Sequence, residues 1–331
     1  MPHDNVTKMA LEDGKVFEPI GLHAVSIGEL MALQIPKRKR HLAWLPATGL
    51  VMVYGKRGVG KSFFTMSLAV ALVTGTPFLK WDIDEPAGVL LVDGEMALDQ
   101  LRDRLEGLLP TEPKAPLEIC SHEIVFNKTE KDLNLGAPEW QAAVNAFLDE
   151  HPAIKVVIVD NLSCLLPNIP EDKRDDWAEK VMPFLVGLRR RGVCTILVHH
   201  SGKGGDQRGT SSREDSLDSI IRLVPFADND ATTEAQFIVR FTKARGVYGE
   251  DVSDIEARLG EGPDGHPAWS WKSIDESNEG RVLALVRDGV TQGSEIADEL
   301  DLSKGAVSKI KKRMIAKGLL ENSREFKLTG V

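Results

Sequence analysis

Cysteine is scarce in this chain: three of the 331 residues are cysteines, and Cys120, Cys164 and Cys194 lie far apart. Three isolated cysteines in a chain of this length do not make a disulfide framework, and the sequence has no CxxC pair for zinc. Isolated thiols of this kind are typical of small buried residues in a reducing compartment, and we expect a cytoplasmic protein.

Long apolar runs are also missing. The longest, residues 63–73, is too short to cross a bilayer of ~30 Å, which needs about 20 residues. Residues 1–13 are polar and lack the apolar core of a signal peptide. We therefore expect no association with a membrane, and residues 63–73 predict a buried helix.

The chain has no excess of positive charge, since 41 basic and 50 acidic residues give a net charge of −9. Such a total argues against a protein whose whole surface coats nucleic acid. The charge is uneven, however, because residues 281–331 carry +3 and residues 303–327 carry eight basic and two acidic side chains. A local basic surface is predicted near the C-terminal end.

Short apolar runs alternate with helical segments from residue 50 onward. Four runs predict strands that are buried on both faces: 50–54, 89–92, 156–159 and 195–198. Helical periodicity at 98–108 and 177–190 lies between them. The alternation predicts an α/β fold with a mainly parallel central sheet. Four later segments predict strands that extend one edge of this sheet: 219–224, 236–242, 255–259 and 269–272.

A polar segment at 275–280 predicts a turn and a domain boundary. Three apolar helix faces follow it, the last beginning after Ser303 as N-cap, and residues 325–328 alternate like a strand. This pattern predicts a winged helix-turn-helix. We expect an N-terminal arm or linker at 1–45, an α/β domain at 46–274 and the winged helix at 279–331.

The basic run 37–40 ends the predicted arm. It is typical of a solvated linker, and it would also suit an arm that docks on a neighbouring subunit or on phosphate. Both interpretations stay open at this point.

The segment 55–62 fits the pattern GxxxxGK[ST], with a predicted strand before it and a helix after it. The glycines allow backbone N–H groups to converge on phosphate oxygens at the positive end of the helix. Lys61 would contact the β- and γ-phosphates, and Ser62 would bind Mg²⁺. The predicted nucleotide contacts are Gly55, Lys56, Arg57, Gly58, Val59, Gly60, Lys61, Ser62 and Phe63.

Four further side chains lie at or just after the ends of predicted strands. Asp160 ends an apolar run, where a second Mg²⁺ ligand is expected. Glu95 is either a base that activates water or a solvated turn carboxylate. His199 and His200 are adjacent and therefore point to opposite faces of a strand, which does not favour zinc; a contact to the γ-phosphate or to a loop, or a structural role, remains open.

Five motifs in order resemble RecA-type ATPases, in particular the plasmid RepA-type and replicative DnaB-type hexameric helicases. They are GKRGVGKS at Gly55, LLVDGEMALD at Leu90, VVIVDN at Val156, ILVHHSGKG at Ile196 and KARGVYG at Lys243, within residues 45–272. The resemblance implies a RecA-like P-loop NTPase that uses ATP and Mg²⁺. It also implies Glu95 as the catalytic base and His200 as the sensor of the γ-phosphate.

In that family the nucleotide lies between subunits, and a neighbour supplies positive charge to the transition state. Arg245 with Lys243 matches the K-x-R pair of the DnaB-like proteins. Arg208 matches the arginine that follows the histidine motif of the RepA-like proteins. Either residue is also compatible with an ordinary surface position, and the choice between the two stays open.

Two basic segments are candidates for DNA binding. Residues 202–213 form a Gly- and Ser-rich stretch without aromatic residues; Lys203 and Arg213 would grip a single-stranded backbone, unless the stretch is only a solvated loop. In the predicted recognition helix, the exposed candidates for duplex DNA are Lys304, Ser308, Lys309 and Lys312. A winged helix that docks on protein is the alternative.

The motifs predict an ATPase that uses Mg²⁺ and ATP. The resemblance to the helicases implies a homo-oligomeric ring, expected to be a hexamer, that acts on DNA as a RepA-like replicative helicase of a plasmid or phage. One alternative is a DNA-binding regulator that ATP switches between assembly states. Another is a recombination or defence ATPase that hydrolyses slowly and assembles filaments.

Overall fold

The computed structural model describes residues 9–10, 16–17, 22, 24–109, 111–167, 176–201, 215–225, 235–263 and 265–329. The chain divides into two compact units, Met1–Arg38 and Lys39–Val331. Each unit is described by itself.

The first unit contains a short antiparallel pair, β1 (Met9–Ala10) and β2 (Val16–Phe17), and helix α1 (Ile27–Ala32). Ser26 caps α1, because its hydroxyl accepts a hydrogen bond from the Glu29 backbone while the Glu29 carboxylate accepts one from the Ser26 backbone. The apolar side chains of α1 are exposed within this unit.

The second unit begins with a hairpin, β3 (Arg40–Leu42) and β4 (Leu45–Pro46). Leu42, Trp44 and Leu45 are buried in its core, so the compact unit starts before the predicted boundary at residue 46. The neighbouring basic run concealed this apolar segment in the sequence pattern.

A nine-stranded sheet forms the centre of the second unit. Its strands are β5 (Leu50–Gly55), β6 (Gly88–Asp93), β7 (Leu117–Ser121), β8 (Ile154–Asp160), β9 (Cys194–His200), β10 (Ser219–Pro225), β11 (Ala235–Ala244), β12 (Ile255–Glu261) and β13 (Pro267–Ser273). The order is β13-β12-β11-β10-β5-β9-β8-β6-β7. The six strands from β10 to β7 are parallel, and β11 to β13 add an antiparallel edge. The predicted α/β fold with a mainly parallel sheet is confirmed.

Helices cover both faces of the parallel part. They are α2 (Lys61–Thr74), α3 (Leu98–Leu108), α4 (His122–Thr129), α5 (Pro138–Glu150), α6 (Leu162–Leu165) and α7 (Met182–Arg190), the last preceded by a π-helical turn at Trp177–Val181. Alternate residues of each strand point to opposite cores: Val51 and Val53 pack with α2, whereas Leu50 and Met52 pack with α7. Burial on both faces explains why these strands are continuous apolar runs.

Three helices complete the chain: α8 (Ile274–Arg287), α9 (Gly293–Glu299) and α10 (Lys304–Ala316). They share a separate small core, which includes Val282, Ile296, Val307 and Phe326. Ser303 caps α10 as predicted, and a single bridge joins Leu320 to Leu328. This cluster of helices with its bridge is called the C-terminal block below.

The turn predicted at 275–280 is wrong, because these residues form the first half of α8. Ser273 and Glu276 make a capping box at its start. Ser277 is buried and donates a hydrogen bond to the buried carboxylate of Glu256 in β12. The C-terminal block is therefore joined to the sheet by a helix that starts directly after β13.

Candidate functional site

The phosphate-binding loop lies between β5 and α2, as the motif predicted. Gly58 and Gly60 have φ angles of 75° and 99°, in the left-handed region that favours glycine. A Cβ on Gly60 would lie 2.6 Å from the Cβ of Ala235, so the loop packs closely against β11. Glycine at this position is required by both backbone angle and space.

Lys61 is buried beneath this loop. Its Nζ donates to the carbonyl oxygens of Lys56 at 3.0 Å and of Gly55 at 3.3 Å. Burial lowers the pKa of Lys61, while the nearby carboxylates of Asp160 and Glu95 act in the opposite direction. The ammonium group is thus held at the phosphate-binding loop and faces negative charge across the cleft.

The sheet brings Asp160 to the same place. Asp93 and Asp160 are register partners at the carboxyl ends of β6 and β8, and His200 pairs with Gly55 at the ends of β9 and β5. Carboxyl ends of parallel strands meet at one edge, which is where α/β proteins bind ligands. The strand order therefore explains why residues from distant segments share one site.

Asp160 is almost completely buried and accepts hydrogen bonds from Ser62 and from Thr65, the latter at 3.3 Å. Burial raises the pKa of Asp160 to about 6, and the hydrogen bond from Ser62 opposes this shift. A hydroxyl and a carboxylate are hard oxygen donors, the kind that Mg²⁺ takes together with substrate phosphates. Ser62 and Asp160 consequently fit a magnesium ion.

Glu95 lies in the loop after β6, and its carboxylate is linked to two other side chains. The Asn161 amide donates to Glu95 Oε2, and the same amide lies 3.2 Å from His200 Nε2. His200 Nε2 lies 3.6 Å from Glu95 Oε2. Burial and, next, the charge of Lys61 lower the pKa of His200 to about 4, so its imidazole is neutral at pH 7.

A cleft of about 420 Å³ joins these groups, a size typical of small-molecule sites. Its lining consists of Arg57, Gly58, Gly60, Lys61, Ser62, Phe63, Asp93, Glu95, Met96, Gln100, Arg104, Asp160 and His200. The guanidinium of Arg104 lies 4.4 Å from the centre of the Phe63 ring at this cleft. The predicted residues Lys61, Ser62, Glu95, Asp160 and His200 thus converge.

Of the two candidate arginine fingers, Arg245 is the one that the structure describes. Lys243 and Arg245 do not line this cleft, and both donate to the carbonyl oxygen of Asp215. Arg208, Lys203 and Arg213 lie outside the residues that the structure describes.

The predicted recognition helix is α10, and its faces differ in charge and exposure. Lys304, Ser308, Lys309 and Lys312 are exposed, whereas Val307, Ile310 and Met314 are buried in the C-terminal block. The remaining cations of the helix and its end are engaged. Arg313 and Lys317 contact the buried carboxylate of Glu279 at 3.1 and 2.7 Å, and Lys311 lies over the ring of Phe326.

Sequence reasoning missed Asn161 and Asp93. Asp93 Oδ1 accepts the backbone N–H groups of Glu95 and Met96, at 3.2 and 2.8 Å, and so shapes the loop that carries Glu95. Both residues belong to motifs already quoted, VVIVDN and LLVDGEMALD, in which their position after a buried strand was the available signal.

Within the described ranges, none of the helices is long and apolar enough to cross a membrane. No curated protein matches the sequence. Among solved structures, a KaiC-like protein from the hyperthermophilic archaeon Pyrococcus horikoshii is similar, with 15% sequence identity and a TM-score of 0.47 over 71% of this chain and 99% of that chain.

A family model described as an AAA domain (AAA_25) matches residues 17–206, which is more than half of the chain. The match includes the phosphate-binding loop, Glu95, Asp160 and His200, and with the parallel sheet it agrees with a RecA-like P-loop ATPase domain. The chain therefore belongs to the AAA domain family.

Proposed function

We propose that this protein is an Mg²⁺-ATP-dependent oligomeric motor that acts on DNA, in the manner of the RepA-like hexameric helicases. The observation that carries the proposal is the convergence of Lys61, Glu95, Asp160 and His200 on one cleft at the carboxyl edge of the sheet. Binding, metal coordination and water activation are thereby available within one protomer.

Lys61 and the loop N–H groups bind the β- and γ-phosphates of ATP, since they lie at the positive end of α2. Ser62 and Asp160 would hold a Mg²⁺ ion, which would neutralise charge on the phosphate oxygens. Lys61 must leave the carbonyl oxygens of Gly55 and Lys56 to reach the phosphates. This exchange replaces weak neutral acceptors by charged ones.

Glu95 takes a proton from the attacking water as the new O–P bond forms and the bond from the γ-phosphorus to the ADP oxygen breaks. The Asn161 amide donates a hydrogen bond to Oε2 of this carboxylate, and the His200 ring lies beside both the amide and Oε2. These contacts orient the carboxylate. The neutral imidazole of His200 adds no charge beside this carboxylate.

Two variants test the ATPase assignment. Lys61→Ala should weaken the binding of a fluorescent ATP analogue at least tenfold, because a charged hydrogen bond donor is lost. Glu95→Gln should bind the analogue with an affinity within twofold of that of the unmodified protein. Its rate of ATP hydrolysis should fall by at least about 100-fold. Glu106→Gln changes an exposed carboxylate in α3 and is the control. Full turnover by Glu95→Gln would contradict the role of Glu95.

The DNA-binding part of the proposal rests on α10. Lys304, Lys309 and Lys312 point outward and make no ion pair within the described part of the chain, whereas Arg313 and Lys317 are paired with Glu279 and Asp275. Exposed lysines bind phosphates and supply affinity that depends on salt, with little base specificity. We expect the outer face of α10 to bind the duplex backbone.

Replacing Lys304, Lys309 and Lys312 together by alanine should weaken duplex binding. It should also reduce the magnitude of the slope of log K against log[salt] by about three. Lys128, Lys131 and Lys155, which are exposed on other elements, form the matched control triple. An unchanged salt dependence in the first triple would exclude this face.

A strand-displacement assay separates a motor from a regulator switched by ATP. Unwinding of a forked substrate that Lys61→Ala abolishes would support the motor. Tight binding of one duplex sequence without unwinding or translocation would contradict it and favour the regulator.

A further inference from the structure

The loop that carries Glu95 is fixed at its leading end by hydrogen bonds to Asp93 and Asp160. Asp93 accepts the N–H groups of Glu95 and Met96, and Gly94 donates its own N–H to the carbonyl oxygen of Asp160 at 2.8 Å. The trailing end of the same loop runs into the first turn of α3. A different support is needed there, because the N–H groups of a first helical turn have no partner within the helix.

Local sequence provides only part of this support: Asp99 Oδ1 accepts the N–H of Gln100 at 2.7 Å, but the N–H of Leu98 has no local acceptor. The N-cap position of α3 is Ala97, whose methyl side chain accepts no hydrogen bond. The acceptor comes instead from α4: Glu123 Oε2 accepts the N–H of Leu98 at 2.9 Å. A carboxylate is well suited to this position, because the N-terminal end of a helix carries partial positive charge.

The sheet places Glu123 beside the loop. Ser121, the last residue of β7, is the register partner of Asp93 in β6. Ser121 then caps α4, with its hydroxyl accepting the N–H of Ile124 at 3.2 Å. Glu123 lies in the first turn of α4, so the ends of the two parallel strands put it within reach of α3.

We propose that Glu123 is a positioning residue for Glu95: it holds the start of α3 and thereby the orientation of the loop that presents the carboxylate to water. This inference rests on the proposed catalytic role of Glu95. Glu123 does not line the cleft, so it acts through the backbone and not on the nucleotide.

The test compares Glu123→Ala with Glu123→Gln, since glutamine keeps a carbonyl oxygen as acceptor. Glu123→Ala should lower kcat about five- to tenfold, which corresponds to the loss of an N-cap interaction, while KM for ATP and the affinity for a fluorescent analogue stay within twofold. Glu123→Gln should restore kcat to within about twofold. Glu106→Ala, an exposed change in α3 itself, is the control and should leave kcat unaltered.

Two results would overturn the proposal: an unchanged kcat in Glu123→Ala, or equal losses in Glu123→Ala and Glu123→Gln. Loss of nucleotide affinity together with kcat in Glu123→Ala would also overturn it, because it would indicate general unfolding of the site.

The Glu95→Gln background separates this proposal from the assignment of Glu95. Adding Glu123→Ala to Glu95→Gln should cause no further loss, because the positioned carboxylate is already gone. If Glu95→Gln alone keeps full turnover, the assignment of Glu95 fails. If Glu95→Gln is inactive and Glu123→Ala is fully active, only the role of Glu123 fails.

Discussion

At the scale of single residues, Asp160 and His200 have pKa values that are shifted in opposite senses inside one cleft. Burial raises the pKa of Asp160 to about 6, whereas burial and Lys61 lower the pKa of His200 to about 4. Their usual values are 3.8 and 6.5, so both differences fall in the window between about pH 4 and pH 6.5. Their effects on the free energy of unfolding have opposite signs.

For Asp160, the folded state binds more protons than the unfolded state. Its contribution to the free energy of unfolding is therefore present below pH 3.8 and is lost as the pH rises through 6. For His200, the folded state binds fewer protons, so its contribution is present above pH 6.5 and is lost as the pH falls through 4. Asp93, whose pKa burial also raises, adds to the slope of Asp160.

Asp160→Asn should therefore make the free energy of unfolding rise more steeply between pH 4 and 6.5 than in the unmodified protein, by about 2–3 kcal/mol over the window. His200→Gln should change the slope in the opposite direction. Urea denaturation without nucleotide, at several pH values, measures both. Parallel pH profiles for the two variants and the unmodified protein would contradict the shifts.

The motifs predicted Lys61, Ser62, Glu95, Asp160 and His200, and the cleft contains all five. Asn161 and Glu123 were not predicted for different reasons. Asn161 follows Asp160 in a motif, but its partners Glu95 and His200 lie in the loop after β6 and at the end of β9. Glu123 is 25 residues from Leu98, and only the register of β6 and β7 brings them together. Contacts of this kind depend on strand order, which local patterns do not contain.

At the scale of elements, the phosphate-binding loop offers a matched pair of glycines. Gly58 and Gly60 both have positive φ, but a Cβ on Gly58 meets no atom within 4 Å, whereas one on Gly60 would collide with Ala235 in β11. Backbone strain is therefore common to both positions, and the contact with β11 is specific to Gly60.

Gly58→Ala should lower the free energy of unfolding by about 1 kcal/mol through backbone strain alone. Gly60→Ala should lower it by about 2–4 kcal/mol, because crowding against β11 is added. Thermal or chemical denaturation without nucleotide measures the difference. Equal losses would show that the loop does not depend on its contact with β11.

The C-terminal block depends on an ion cluster between α8 and α10. Burial acts to raise the pKa of Glu279, but the hydrogen bonds and the charges of Lys317 and Arg313 together lower it. Glu279→Ala should destabilise the block by about 2 kcal/mol, because it removes two charge-assisted hydrogen bonds, one from Arg313 and one from Lys317. Both cations are partly exposed, which limits the cost. Asp275→Ala, which removes the exposed partner of Arg313, should cost less than 1 kcal/mol. Comparable losses in a denaturation experiment would contradict the difference in burial.

Most strands and helices followed from periodicity, and the exception at 275–280 has a simple cause. Polar and acidic residues are favoured both in turns and in the first turn of a capped helix, so composition alone does not separate the two. The capping box of Ser273 and Glu276 was the signal that would have identified the helix. β7 was not predicted because it is an edge strand with half-buried residues and no continuous apolar run.

At the scale of the whole molecule, Lys243 and Arg245 do not line the cleft of their own protomer. Arg245 and Arg208 are the two candidates for supplying charge to the nucleotide of a neighbour in the proposed oligomer, and Arg245 is tested first. Arg245→Ala alone should lose ATPase activity at least 100-fold. Co-expressed with Glu95→Gln, it should regain activity, because each intact site then receives Arg245 from a Glu95→Gln subunit.

Lys61→Ala co-expressed with Glu95→Gln is the control, and it should stay inactive because neither subunit has a complete site. A mixture of Arg245→Ala and Glu95→Gln that is no more active than its components would argue against Arg245 and leave Arg208 as the candidate.

The buried contact between Ser277 and Glu256 has a further consequence for how such an assembly would meet DNA. Because α8 starts directly after β13, the C-terminal block has no tether with which to search for a duplex. The sheet fixes the distance between the C-terminal block and the nucleotide cleft, and the block would move together with the sheet. The spacing of the lysine faces in an oligomer would then equal the spacing of the subunits, so the assembly would present its duplex-binding faces at a fixed pitch.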